Sequence, residues 1–138
     1  MTSTQNQGIE VYQNLGKLFY AVAMADGRVH IKELDRLKEI VTEKWLAVDD
    51  IEDRYHTDAA YQIETVFDWL LEYEKDSEEC FEEFTDFYQS HSALFPDPVK
   101  NLIKETAHAI ANSLAGMNKS ELVLLVKIDL LLGGNSNS

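Results

Sequence analysis

Hydrophobic residues recur along this chain at three- and four-residue steps, interrupted by short polar stretches, and that period predicts helices throughout. The first helix is expected from Gln5 to Ala25, with Val11, Leu15, Leu18, Val22 and Ala25 in one apolar stripe. Asp26-Gly27 ends it, since glycine readily takes the left-handed conformation that closes a helix. A second helix is expected from Ile31 to Leu46, with Leu34, Leu37, Val41 and Trp45 facing inward. Asp49 to Asp58 is polar and reads as a loop or a short irregular helix. Thr57 or Asp58 then caps a third helix whose broad apolar face is Ile63, Val66, Phe67, Leu70 and Leu71.

Asp76-Ser77 marks the next break, and Phe81, Phe84 and Tyr88 define a fourth helix ending near Ser92. Pro96 and Pro98 suit the first turn of a fifth helix, where proline loses no helix hydrogen bond. Its stripe is Val99, Ile103, Ala107, Ile110 and Leu114, and Gly116 closes it. The last helix is expected from Lys119 to Leu132. Glycine and proline are sparse and read as punctuation between helices. No segment sustains the period-two alternation of a strand. The predicted fold is all-α: a single-domain bundle of about six helices over residues 1–132, with a disordered tail over 133–138.

The last helix departs from the amphipathic pattern. Around Leu122-Val123-Leu124-Leu125-Val126 it is apolar on every side, which predicts burial all round as the central core helix. The alternative is that part of it forms a homodimer interface.

Composition narrows the function classes. At 138 residues the chain fits one domain, and 45% hydrophobic residues suffice for a sizeable core. A net charge of −13 argues against direct binding to nucleic acid or adsorption to anionic membranes, both of which require a basic surface. Partners with a basic surface, or cations, are its natural counterparts. Cys80 is the only cysteine, so no intrachain disulfide is available. Met1 to Gly8 has neither the basic start nor the apolar core of a signal peptide. The most apolar stretch, Leu122 to Leu132, is about half the length of a membrane span and carries Lys127 and Asp129. No membrane insertion is expected, and the expected location is cytoplasmic.

Two helix-turn-helix units overlay as a weak internal repeat. In the first, Ala25-Asp26-Gly27-Arg28-Val29 leads into His30-Ile31-Lys32-Glu33-Leu34. In the second, Leu114-Ala115-Gly116-Met117 leads into Asn118-Lys119-Ser120-Glu121-Leu122, one residue shorter and without the aspartate. Each puts a small residue and glycine at the helix end, then an apolar residue, then a polar residue with glutamate three positions later. Asn118 with Glu121 forms a capping-box pattern, and His30 with Glu33 a poorer version. The run Ala21-Val22-Ala23-Met24-Ala25-Asp26-Gly27-Arg28-Val29, followed by Glu33-Leu34, resembles the TerB-like family. That family is the helical module of tellurite-resistance operons, found also at the front of some membrane-anchored co-chaperones. The resemblance covers about twenty residues of the first unit and the outline of the second. It implies an all-α fold and a role in stress or metal-ion response, with no established catalytic activity.

Asp26 through Glu33 also matches the back half of an EF-hand loop, but Val22 and Met24 stand where the front half needs oxygen ligands. Two readings follow. Asp26 hydrogen-bonds nearby backbone amides while Glu33 caps the second helix. Alternatively, Asp26, Glu33 and Glu121 converge across the repeat as a weak divalent-cation site, and no other cofactor is expected.

From Glu72 to Asp86 runs an acidic belt of Glu72, Glu74, Asp76, Glu78, Glu79, Glu82, Glu83 and Asp86, against the single base Lys75. Glu79, Glu82, Glu83 and Asp86 share one helix face. They form either a solvated face or the docking surface for a protein with a basic surface. Catalytic sets are missing. His30, His56, His91 and His108 are scattered without an HExxH pair, no glycine-rich phosphate loop leads into a helix, and Cys80 reads as a half-buried structural thiol. The expected function is a non-enzymatic interaction or regulatory module. A divalent-cation sensor is the alternative, and an enzyme with an unrecognised site the remote one.

Overall fold

The computed structural model describes residues 4–25, 31–51, 59–113 and 119–133. These form six helices and no strand: α1 (Thr4–Ala23), α2 (Ile31–Ile51), α3 (Ala59–Glu72), α4 (Ser77–Ser90), α5 (Asp97–Ser113) and α6 (Lys119–Gly133). A 3-10 turn, Ser92–Leu94, joins α4 to α5. The expected elements are all present. Helix α2 continues through Asp49 and Asp50 to Ile51, where the polarity of the sequence suggested a loop or a short irregular helix. Helix α6 takes in Gly133, the first residue assigned to the tail, and 134–138 lie outside the described residues.

The central helix is α1. It packs against α3, α4, α5 and α6, and all six residues from Leu18 to Ala23 are fully buried. The stripe of Val11, Leu15, Leu18 and Val22 is therefore only part of its apolar surface, which widens to the full circumference in the second half. Gly16 is no punctuation mark. It lies in mid-helix where α1 meets α3, and a Cβ placed there would stand 2.8 Å from Val66 Cβ and 3.0 Å from the Ile63 carbonyl.

Side chains from three helices meet at Trp45. Its ring lies against Tyr12 and Phe19 of α1, with centroid separations of 6.4 and 6.1 Å. Its indole Nε1 donates to Thr106 Oγ1 on α5 at 3.0 Å, and the Thr106 hydroxyl donates to the Leu102 carbonyl at 2.7 Å. Between α2 and α3, Lys38 pairs with Asp68 at 2.7 Å and the Thr42 hydroxyl donates to Glu64. A second aromatic group packs around the α4–α5 connection. Phe95, which follows the 3-10 turn, is buried against Tyr88 at 5.0 Å and Phe84 at 6.1 Å.

The α3–α4 connection is built closely. Helix α3 ends with the Lys75 amide donating to the Leu70 carbonyl and the Glu74 amide to the Leu71 carbonyl, the paired bonds of a Schellman ending. Glu74 occupies the left-handed position at φ 51°, where glycine is usual. Asp76 caps α4 by accepting from the Glu79 amide at 2.9 Å, and Glu78 and Glu79 follow in the first turn. The Tyr20 hydroxyl of α1 donates to the Lys75 carbonyl at 2.7 Å. The central helix thus holds the start of the acidic helix in place.

Candidate functional site

Helix α4 turns Cys80, Phe84 and Tyr88 into the core. Phe81, expected in that stripe, is displaced to its edge and is half-buried. The cause is angular: residues 80, 84 and 88 follow the four-residue row, and Phe81 lies on the neighbouring one. The remaining arc is acidic. Glu78, Glu79, Glu82, Glu83 and Asp86 are all exposed, as are Glu72, Glu74 and Asp76 upstream.

The four carboxylates expected to act together do not face the same way. Glu82 and Asp86, joined by Glu78, line an open cleft of about 760 Å³. Glu83 lies on the other flank and pairs with Lys17 of α1 at 3.1 Å, and Glu79 is on that flank too by helical geometry. Sequence reading placed Glu78 in the belt but not in the docking set. The four-residue step from Glu78 to Glu82 to Asp86 was the available signal.

Across the cleft stands α6, contributing Lys119, Val123, Leu124 and Lys127. Ala25 and Phe81 add apolar surface between the walls. Here the structure corrects the expectation of a central core helix. Among the described side chains of α6 only Leu125, Ile128 and Leu132 are buried, while Leu122 (54% exposed), Val123 (45%), Val126 (50%) and Leu130 (68%) face outward. The sequence-wide apolarity of α6 is therefore split between a core face and an uncovered face. Of these four, Val123 also lines the cleft. His108 of α5 meets α6 as well, with Nε2 3.4 Å from both carboxylate oxygens of Asp129.

The proposed cation ligands are not assembled in what is described. Asp26 lies outside the described residues, and Glu33 and Glu121 are described only as helical backbone. Among the described residues no group of three or more His, Cys, Asp or Glu side chains is placed to hold a metal ion. Among them too, no helix is long and apolar enough to cross a membrane.

Cys80 is more deeply buried than expected, at 3% exposure. Burial pushes its thiol up to about 11; the neighbouring Glu83 adds to this, and Lys17 opposes it. At pH 8 roughly one thiol in a thousand is then ionised. Iodoacetamide is expected to leave the native protein almost unlabelled for hours and to label it promptly once urea unfolds it; rapid native labelling would contradict this burial. Because the folded state holds this proton more tightly than the unfolded chain, the contribution to stability is complete below about pH 9 and is lost as pH rises through about 11. Burial likewise raises Tyr20, whose hydroxyl must stay protonated to donate to Lys75.

Comparison of the chain with protein-family models, with curated proteins and with solved structures found no match.

Proposed function

We propose that this chain is a non-catalytic interaction module that docks a protein with a basic surface onto α4, along the Glu78, Glu82 and Asp86 row. The observation that carries this is the cleft itself: three exposed carboxylates line one wall of an open trough beside exposed apolar side chains. Among the described residues the only ion pair made by α4 is that between Glu83 and Lys17, so the cleft-side carboxylates keep their charge for a partner. A solvated face would account for exposed acids alone. It gives no reason for them to border uncovered Val123.

The TerB-like resemblance, carried by Ala21 to Val29 and Glu33-Leu34, supports a regulatory part in a stress or tellurite response in the cytoplasm. The buried thiol of Cys80, held protonated, is in keeping with a non-catalytic module.

The test is binding of an oligolysine peptide, followed by fluorescence anisotropy at two salt concentrations. The triple variant Glu78→Lys, Glu82→Lys, Asp86→Lys should weaken binding at least tenfold, and raising the salt should weaken wild-type binding. A control variant carrying Glu39→Lys, Glu43→Lys and Glu105→Lys makes the same change in net charge on other helices. If it loses as much affinity as the first, binding follows net charge rather than this row, and the reading fails.

A further inference from the structure

Helices α4 and α6 both pack on α1 but make no substantial contact with each other, and the cleft is the trough between them. We infer that this trough receives one amphipathic helix of a partner protein, with basic residues along one edge and acidic residues along the other. The inference rests on the interaction reading above and specifies the partner.

Three features define the occupant. The first is a pair of charged rows. Glu78, Glu82 and Asp86 run along α4 at four-residue steps, and Lys119 and Lys127 stand eight residues apart on α6. Both rows are about 12 Å long at the helical rise. They have opposite sign and border the same cleft, yet among the described residues no ion pair joins them. The two rows are therefore left unpaired with each other across the trough, and a body between them with complementary edges satisfies both.

The second feature is the apolar surface between and beside the rows. Phe81 and Leu124 are half-buried in the trough, and exposed Val123 carries the apolar surface outward along α6. A purely polar occupant would leave these side chains in water.

The third is the backbone of the walls. Both are helices, whose amides and carbonyls are already bonded internally, so they offer no edge to an extended strand. A helix satisfies its own backbone and presents only side chains, which is what these walls can meet. The acid row argues against anionic occupants such as nucleic acid.

The test uses the full chain and three synthetic helical peptides of equal length. The first has an apolar face, a lysine edge and a glutamate edge. The second replaces its apolar face with glutamine. The third replaces its lysine edge with glutamate. Titration calorimetry should show the first binding at least tenfold more tightly than either of the others. Val123→Asp, an exposed position on the trough wall where circular dichroism should report an unchanged fold, should weaken the first peptide at least tenfold.

If the glutamine peptide binds as well as the first, the amphipathic-helix inference is overturned while docking of a basic surface stands. If the third binds as well as the first, basic recognition itself is lost. If no peptide binds and sedimentation shows a dimer that Val123→Asp dissociates, a second copy of the chain covers the trough and the inference is overturned.

Discussion

Gly16→Val is expected to destabilise the protein by about 3 kcal/mol, and Gly16→Ala by about 1 kcal/mol. Glycine in mid-helix normally invites the opposite result, since alanine is favoured there by about 1 kcal/mol. The position decides otherwise. A Cβ on Gly16 would meet Val66 Cβ at 2.8 Å and the Ile63 carbonyl and Val66 Cγ1 at 3.0 Å. Neither the backbone carbonyl nor the Cβ of a helical residue can swing aside, so α1 and α3 must separate along their contact. Overpacking of this kind costs about 1–3 kcal/mol, which exceeds the gain in propensity. Urea denaturation of the two variants gives the values directly. A Gly16→Ala protein more stable than wild type would mean that the two helices do not approach this closely.

Thr106→Val should cost about 2 kcal/mol, with a fall in Tm of roughly 6–10 °C. The substitution keeps the shape of the side chain and removes only its hydroxyl. Trp45 and Thr106 are both fully buried, so the indole N–H that donates to Thr106 Oγ1 is left without an acceptor and without water. Removing the other partner has a different cost. In Trp45→Phe the Thr106 hydroxyl still donates to the Leu102 carbonyl at 2.7 Å, and the loss is one of ring volume among Tyr12, Phe19 and α5. The double variant should therefore lose about 1 kcal/mol less than the sum of the two singles, because Thr106→Val strands nothing once the indole is gone. Strict additivity would show that the bond contributes nothing to folding.

Both effects arise at residues whose importance is hard to read from the chain alone. Thr106 sits one position from the stripe of α5, next to Ala107, and nothing local marks it as the acceptor for a tryptophan 61 residues away. Gly16 interrupts an otherwise good helical pattern, and an isolated glycine there was the available sign of a close approach. Phe95 shows the same thing in a linker: Pro96 and Pro98 after it read as the first turn of the next helix, while its own ring is buried in the core.

The candidate site was partly legible. The acid-rich run, its helical spacing and its exposure all follow from the order of residues. The division of that run was not, because it depends on what lies beside each flank of α4. Lys17 of α1 stands against Glu83, and α6 stands across from Glu78, Glu82 and Asp86. The cation-site expectation at Asp26, Glu33 and Glu121 depends on two turns meeting, and the residues concerned lie outside the described side chains.

Two uniformly apolar segments make the same point most clearly. Leu18 to Ala23 and Leu122 to Val126 look alike by composition, and each is compatible with burial on every side. In the fold α1 is enclosed by four other helices, whereas α6 rests on α5 and α1 and leaves Leu122, Val123, Val126 and Leu130 uncovered. Number and type of the helices were determined by the sequence alone, because periodicity, capping and helix-stopping residues act over a single turn. Which helix became the centre, and which apolar face stayed open beside an acidic wall, only the tertiary structure decided. Those outcomes depend on how many neighbours a helix acquires, and the neighbours are supplied by residues far away along the chain.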